Sequence, residues 1–379
     1  MKETLHIKNF GPIKDVKLEL GKVNVLIGDQ GTGKSTVAKL FTAIRNTIFM
    51  EIFDLNDDPE IDIETRKFLE YLTWFELSNY KMPDSEIVLE SENYSFIFKE
   101  NKVVKLIKSD NYLDSLLYGD FNFIPAERIL ISTLSDSLFG LIEIKAPIPR
   151  ILLRFGNKFS KARKLGVKKY KELLGVDFIH TNGIDSIIIK ENISLPLTDA
   201  SSGIQGTIPL LIVFDSIVDT MYVRSDIIDV GPLLVIEEPE LNLFPGTQKR
   251  ILNYIIGENY GQEFHIDKNS HERYYLNQLL ITTHSPYILT SLNNLMYAYT
   301  VGHIEGKKDD VNKIIEEKYW LDPKDVSAYM LVFDEKQGGC VQKNIIDKET
   351  MLIDSVQIDG VSDTLSEEFN QIMAIKLGV

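Results

Sequence analysis

Residues 28–35 read Gly28-Asp29-Gln30-Gly31-Thr32-Gly33-Lys34-Ser35 and match the pattern G-x-x-x-x-G-K-[ST] at every fixed position. The apolar run Val23–Ile27 before the motif predicts a buried strand, and apolar positions at helical spacing follow over Lys34–Met50. Glycines in such a strand–helix turn let backbone N–H groups point at an anion, and the helix N-terminus adds positive potential. The sequence therefore predicts a phosphate-binding loop in an α/β fold.

The residue types in this loop indicate that the anion is ATP. Lys34 is expected to reach the β- and γ-phosphates, and the Ser35 hydroxyl is expected to ligate Mg²⁺. The alternative interpretation is a glycine-rich turn with an exposed lysine, but the flanking strand and helix argue against it. The predicted ATP-binding residues of the loop are Gly28, Asp29, Gln30, Gly31, Thr32, Gly33, Lys34, Ser35 and Thr36.

A second motif places carboxylates at the end of a predicted buried strand. The branched apolar run Leu233–Ile236 is followed by Glu237, Glu238, Pro239 and Glu240. Adjacent carboxylates at such a position are costly unless a cation or a water molecule lies beside them. We expect Glu237 to hold the Mg²⁺ shell and Glu238 to polarise the attacking water as a catalytic residue. A solvated acidic turn is the alternative.

A histidine ends another predicted buried strand. Leu279–Thr283 has the buried-strand pattern, His284 follows it, and Pro286 pre-sets the first turn of the next helix. At this strand end His284 could sense the γ-phosphate by a hydrogen bond. A histidine in this context is more often structural when it stands alone, but the two motifs above favour a catalytic role.

A fourth motif consists of small residues before an apolar helix. Ala200–Gly206 contains two serines and precedes the predicted helix Ile208–Met221. Small residues and a hydroxyl at a helix N-terminus form an anion site. Because the chain already has one phosphate loop, this site is best used on the nucleotide of another molecule. A serine N-cap with no ligand is the alternative.

These motifs, in this order, resemble those of the ABC-type ATPases of the RecF, SMC and OLD group. The resemblance also rests on Leu5–Ile13, Phe123–Arg128 and Leu243–Pro245. It implies a P-loop NTPase fold of ABC-ATPase type, with a mixed sheet and an N-terminal antiparallel β-subdomain. It also implies that Asn9 and Phe10 lie near the adenine of ATP.

In that family two ATP molecules are enclosed between two subunits, so the resemblance implies a homodimer or a higher homo-oligomer. Each subunit's signature segment then contacts the partner's nucleotide. By resemblance, that segment comprises Ser201, Ser202, Gly203 and Gln205 in this chain. The family's Q-loop glutamine has no clear match.

The chain is predicted to divide into an N-terminal lobe (1–130), a helical insertion (131–174) and a C-terminal lobe (175–379). The insertion resumes after a break at Pro147 and Pro149 and ends in the basic segment Lys158–Lys171. Within the C-terminal lobe, the apolar residues Met296–Val301 and Ala328–Phe333 predict strands.

Composition narrows the functional classes. Lys and Arg total 41 and Asp and Glu total 56, so the net charge is −15, and only a local basic patch could bind nucleic acid. Cys340 is the single cysteine, which excludes an intramolecular disulfide and favours a reducing, cytoplasmic location. The N-terminus lacks an apolar signal region, and no run of about 18 apolar residues occurs, so no membrane contact is expected.

The chain's size distinguishes it from the larger relatives. The insertion is far shorter than an SMC coiled-coil arm, and the residues after His284 are too few for an OLD-type Toprim nuclease. The chain looks most like the stand-alone ATPase subunits of bacterial anti-phage systems, such as AriA of PARIS and PtuA of Septu. That resemblance implies a separate effector protein, usually a nuclease.

Other functions remain open on the sequence. One is direct DNA repair of the RecF type, with nucleic acid bound through Lys158–Lys171, although a solvated helix face fits the same segment. Another is an ATP-binding interaction module with negligible turnover, against which Glu238 argues. A transporter subunit is disfavoured by the missing LSGGQ signature and Q-loop.

Overall fold

The computed structural model describes residues 3–50, 63–92, 94–108, 122–134, 147–164, 166–191, 193–220, 233–260, 263–264, 273–274, 278–354 and 367–373. The helices are α1 (Lys34–Met50), α2 (Ile63–Trp74), α3 (Ile129–Thr133), α4 (Arg150–Ala162), α5 (Lys171–Leu174), α6 (Ser202–Thr220), α7 (Pro245–Tyr260), α8 (Pro286–Gly302) and α9 (Lys308–Asn312). A further helix covers 367–373.

The strands follow the same chain order. They are β1 (Glu3–Phe10), β2 (Ile13–Leu20), β3 (Val23–Gly28), β4 (Lys81–Glu90), β5 (Tyr94–Lys99), β6 (Lys102–Lys108), β7 (Asn122–Ile124), β8 (Asp177–Thr181), β9 (Ile184–Lys190), β10 (Ile193–Pro196), β11 (Leu233–Glu237), β12 (Glu263–Phe264), β13 (Arg273–Tyr274), β14 (Gln278–Thr283), β15 (Val326–Asp334) and β16 (Gly339–Asn344).

One large mixed sheet organises the molecule. Across the described ranges, eleven strands pair in the order β6-β5-β4-β1-β2-β16-β15-β3-β14-β11-β7. The N-terminal strands pair antiparallel, whereas β3, β14, β11, β7 and β15 run parallel. Strand β16 pairs antiparallel with β15 and parallel with β2, and so joins the two halves. The predicted fold class, a mixed sheet of P-loop ATPase type with an antiparallel N-terminal part, is confirmed.

The register brings the ends of the parallel strands together. Thr283 of β14 is aligned with Ile27 of β3, and Glu237 of β11 is aligned with Thr282 of β14. All of β3, β11 and β14 is buried, as expected for parallel strands covered on both faces. The phosphate loop, the carboxylate motif and His284 therefore emerge at one edge of the sheet.

Helices cover both faces of the parallel strands. Helix α1 packs its apolar side on one face, where Val37 and Phe41 share a hydrophobic cluster with Leu26. Helices α6, α7 and α8 cover the other face, in a cluster that contains Val25. By length and composition the segment Ser202–Asp219 of α6 could cross a membrane, but 67% of it is buried inside the protein, so it serves as a core helix.

The region predicted as an insertion contains α4 and α5, and α4 begins directly after Pro149. Residues 135–146 and 165 lie outside the described ranges, and the division into 1–130, 131–174 and 175–379 stays a prediction. Tyr170 beside α5 donates its hydroxyl to Asp215 of α6 at 2.6 Å, and Tyr254 of α7 donates to the same carboxylate at 2.8 Å. Asp215 thus connects this region to α6 and α7.

One strand prediction was wrong. Met296–Val301 belongs to α8, not to a strand. The buried positions Ile288, Leu289, Leu292 and Leu295 continue into Met296 at helical spacing, so the period of 3.6 becomes visible only in the longer window. A six-residue apolar run does not distinguish the two structures.

Candidate functional site

The phosphate loop has the backbone that its sequence predicts. A Cβ at Gly28 would collide with the carbonyl oxygen of Leu331 on the neighbouring strand β15, and Gly33 has a φ of +90°. Both positions therefore favour glycine. The side chains of Thr32 and Thr36 are buried. The exposed residues of the loop are Asp29, Gln30, Gly31 and Ser35.

The side chain of Lys34 folds back over its own loop and bonds the loop backbone. Its Nζ donates to the carbonyl oxygens of Gly28 at 2.7 Å and Asp29 at 2.8 Å. Burial lowers the pKa of Lys34, and the nearby carboxylates of Glu238, Asp29 and Glu240 oppose that shift. The ammonium of Lys34 is thus fixed between the loop and the carboxylate motif. In this position it can bind an anion that enters the loop.

Glu237 has an unused acceptor. Its side chain is 1% exposed, and its Oε2 accepts from the backbone N–H of Ala126 at 3.4 Å. Among the described residues no donor bonds its buried Oε1. Burial raises the pKa of Glu237, opposed by Lys39 and by the Ser35 hydroxyl. A buried carboxylate oxygen beside a hydroxyl fits Mg²⁺, which prefers such oxygen ligands.

Glu238 and His284 lie side by side at the mouth of the site. Glu238 follows β11 with a φ of +44°, and its N–H donates to the carbonyl oxygen of Thr282 at 2.9 Å. Its Oε1 lies 3.5 Å from Nε2 of His284, and both side chains are partly exposed. A non-glycine residue in this backbone region is uncommon and costs energy, as is typical of functional sites.

Glu240 fixes the backbone that carries His284. Its Oε1 accepts from the Thr283 hydroxyl at 2.6 Å and from the His284 N–H at 2.8 Å. Burial raises the pKa of Glu240, and these two hydrogen bonds oppose the shift. The acidic motif thus has a third carboxylate that positions the histidine. Its place in the same short run as Glu238 was the available sequence signal.

Arg128 is a second residue whose role the sequence did not predict. It is 1% exposed, and its guanidinium donates to the carbonyl oxygens of Glu237 and Glu238, each at 2.7 Å. It also donates to Gly206 at 3.0 Å and Pro125 at 3.1 Å. Burial lowers its pKa to about 10, and the surrounding glutamates oppose this. Arg128 lies in the run Phe123–Arg128 that supports the family resemblance, but the sequence did not predict the carbonyl groups that Arg128 bonds.

The predicted signature segment begins α6. Ser201 and Ser202 are exposed at the helix start, and Gly203 is buried against Asn242. The expectation that Gln205 faces a second nucleotide needs correction. Its Nε2 donates to the carbonyl oxygens of Thr198 at 2.6 Å and Ala200 at 2.9 Å, so the side chain shapes the preceding turn instead.

A pocket adjoins the phosphate loop at the β1–β2 turn. The Asn9 amide donates to Asp84 at 2.7 Å and accepts from Lys14 at 2.8 Å. The expectation for Phe10 is corrected, because this residue is fully buried in the core and does not line the pocket. The pocket is lined by Asn9, Gly11, Pro12, Ile13, Lys14, Met82, Asp84, Gly338 and Gly339.

Comparisons with known proteins bear on this site. A family model described as an AAA ATPase domain matches residues 1–122 and 129–289. No curated protein matches the chain.

Several solved structures show a low overall similarity. The SMC head domain from Thermotoga maritima is 13% identical, with 91% of this chain and 98% of that chain covered and a TM-score of 0.41. The Smc head domain with an extended coiled coil bound to the C-terminal domain of ScpA, derived from Pyrococcus furiosus, is 10% identical, with coverages of 97% and 98% and a TM-score of 0.42. An SmcHead bound to the C-winged helix domain of ScpA is 11% identical, with coverages of 92% and 99% and a TM-score of 0.44.

Proposed function

This chain belongs to the AAA ATPase domain family, and on that premise we propose that it binds ATP with Mg²⁺ and hydrolyses the γ-phosphate. The observation that carries the proposal is the placement of Glu238 beside His284 and within electrostatic reach of Lys34. A base, a polar sensor and a phosphate-binding cation then meet at one sheet edge. Together these groups can bind the phosphates and activate the attacking water.

Each side chain has a distinct task in the proposed reaction. Lys34 offsets the charge of the β- and γ-phosphates, and Glu238 accepts the proton of the attacking water. His284 donates a hydrogen bond toward the γ-phosphate. Ser35 and Glu237 would hold Mg²⁺, which neutralises charge on the phosphate oxygens when bound. The partly exposed position of Glu238 leaves room for the water.

Substitution of the base tests hydrolysis directly. Glu238→Gln should bind ATP with unchanged affinity and lose turnover, because the amide keeps the shape but cannot accept the proton. Glu172→Gln, on the short helix α5, is a control of the same chemistry and should turn over ATP normally. Wild-type hydrolysis by Glu238→Gln would refute the assignment of the base.

We further propose that two copies close around two ATP molecules. The exposed Ser201 and Ser202 at the start of α6 support this, because a helix N-terminus with free hydroxyls can bind a phosphate. Phe244 supports it too, since its side chain is 81% exposed in the loop that packs against Gly203. An exposed aromatic side chain next to an anion site suits a surface that a second subunit covers.

Mixing two inactive variants tests this shared site. Ser202→Arg should bind ATP in its own loop and fail to hydrolyse it, whereas Lys34→Ala should not bind. A mixed dimer contains one intact composite site, so activity should return to at most about half the wild-type rate. Full activity of Ser202→Arg as a monomer would refute the shared site.

The proposed cellular role is regulation of a separate effector, for which a nuclease in cytoplasmic anti-phage defence is the leading candidate. This rests on the resemblance, and affinity capture from the native host tests it. The second candidate is direct action on DNA or RNA. Exposed lysines in Lys158–Lys171 favour it, although Arg163 in that segment is already paired with Asp185. Salt-sensitive binding would distinguish this candidate.

A further inference from the structure

One guanidinium spans two parts of the site that lie on different segments. Arg128 donates through Nε to Gly206 in the first turns of α6, and through Nη1 and Nη2 to the carbonyl oxygens of Glu237 and Glu238. The planar fork of arginine spreads its donors over three nitrogens, so these bonds can form at the same time, whereas the three donors of lysine share one nitrogen. The start of α6 and the end of β11 are therefore held at a fixed separation.

The chemistry of the position argues against a purely structural role. A charged group that is 99% removed from solvent is costly, and apolar packing would fill the same space at lower cost. Here the positive charge faces the carbonyl ends of Glu237 and Glu238, which bear the carboxylates of the site. Loss of this bridge would release the strained backbone of Glu238, whose φ is +44°.

The segment that carries Arg128 makes a second bond to the same helix. Ser132 on α3 donates its hydroxyl to the carbonyl oxygen of Gln205 at 2.7 Å. The hydroxyl of Ser132 donates to α6, whereas the guanidinium of Arg128 donates both to α6 and to the carboxylate motif. Substitution of Ser132 therefore tests support of α6, whereas substitution of Arg128 tests the connection between α6 and the catalytic base Glu238.

We propose that Arg128 is a positioning residue that couples the two ATP sites of the dimer, an inference that rests on the proposed function. Under that function, Ser202 on α6 contacts the partner's ATP while Glu238 acts on the chain's own ATP. Arg128 is bonded to both elements. A shift of α6 on contact with the second nucleotide is thereby passed to the backbone of Glu238, and hydrolysis at one site depends on occupancy of the other.

The experiment measures ATP affinity, kcat and the Hill coefficient of ATP hydrolysis in Arg128→Lys, Arg128→Met and Ser132→Ala. Both Arg128 variants should bind ATP within about threefold of wild type, since the phosphate loop is untouched. Their kcat should fall by about tenfold or more, the scale of losing a hydrogen bond from a charged group. The wild-type Hill coefficient should exceed one and fall to one in the variants, whereas Ser132→Ala should keep both kcat and cooperativity.

Arg128→Lys provides the measurement if Arg128→Met does not fold, because it keeps the charge and most of the volume. Folded Arg128 variants with wild-type kcat and cooperativity would overturn the inference, as would a wild-type Hill coefficient of one. Failure of the proposed function gives a different result, in which wild-type protein hydrolyses no ATP or Glu238→Gln remains active.

Discussion

Replacement of Gly203 by alanine probes the contact between α6 and the loop after the carboxylate motif. An alanine Cβ at this position would lie 2.6 Å from the carbonyl oxygen of Asn242 and 3.2 Å from Cδ2 of Leu243. Ordinary contacts begin at 3.4 Å, so the Asn242 backbone must retreat by about 0.8 Å. Backbone yields less easily than a side chain, and the helix start must shift with it.

Gly206, one turn further along α6, supplies the matched control. Apart from the backbone of its own helix and its chain neighbours, a Cβ there has no atom within 4 Å, so alanine enters open space. Both substitutions gain about 0.5–1 kcal/mol from replacing glycine in a helix. Only Gly203→Ala incurs the overpacking cost of about 1–3 kcal/mol. The free energies of unfolding of the two variants should therefore differ by about 1–3 kcal/mol, with Gly206→Ala the more stable.

Urea unfolding followed by circular dichroism measures this difference, provided that the m-values of the two variants agree. Equal midpoints for Gly203→Ala and Gly206→Ala would refute the close packing of α6 against Asn242. A lower midpoint for Gly206→Ala than for wild type would refute the open space at that position.

Three other predictions address binding, burial and surface charge. Lys34→Ala should abolish ATP binding in calorimetry, because it removes the cation that offsets the phosphate charge, and unchanged affinity would show that the loop is misassigned. Burial raises the pKa of Asp215, so its folded-state contribution is favourable at low pH and is lost as the pH rises through that pKa. The free energy of unfolding of wild type minus that of Asp215→Asn should consequently become smaller as the pH rises toward neutral, because asparagine does not titrate. Thermal unfolding over a range of pH measures this difference, and a difference independent of pH would contradict the assignment. Reversal of four lysines in the basic segment should spare basal ATPase activity and weaken retention of nucleic acid or effector, and identical retention would indicate a solvated face. The four are Lys161, Lys164, Lys168 and Lys169.

The residues that sequence reasoning located share one property, which is a local pattern with a chemical reason. The glycine loop around Lys34 and the strand that ends in Glu237 and Glu238 each fit within about ten residues. The pairing of β16 with β2 could not be predicted, because it joins segments more than 300 residues apart and depends on the whole sheet. Arg128 escaped for a related reason, since its partners are backbone carbonyls that leave no trace in residue type.

The errors at Phe10 and Gln205 have a different origin. Both residues lie in motifs that fall on the expected strand and helix, yet a motif does not specify which way a side chain points. An irregularity at Asn9, whose φ is +48°, interrupts the alternation of β1 and turns Phe10 inward, where a strict period of two would have exposed it. Gln205 bonds carbonyls of its own turn. A side chain that packs in the core or bonds its own turn is then not free to contact a ligand.

The position of β3 in the sheet has a consequence for synthesis of the chain. Its two neighbours are β14 and β15, which begin at Gln278 and Val326. The strand that carries the phosphate loop is thus without its first partner until about 250 more residues have left the ribosome, and without its second until about 300 have. Contacts so distant in sequence form slowly, and an apolar strand with open edges is prone to aggregation in the meantime. We expect nascent chains to need protection by a chaperone, and ATP to become a stabilising ligand only after β15 has emerged.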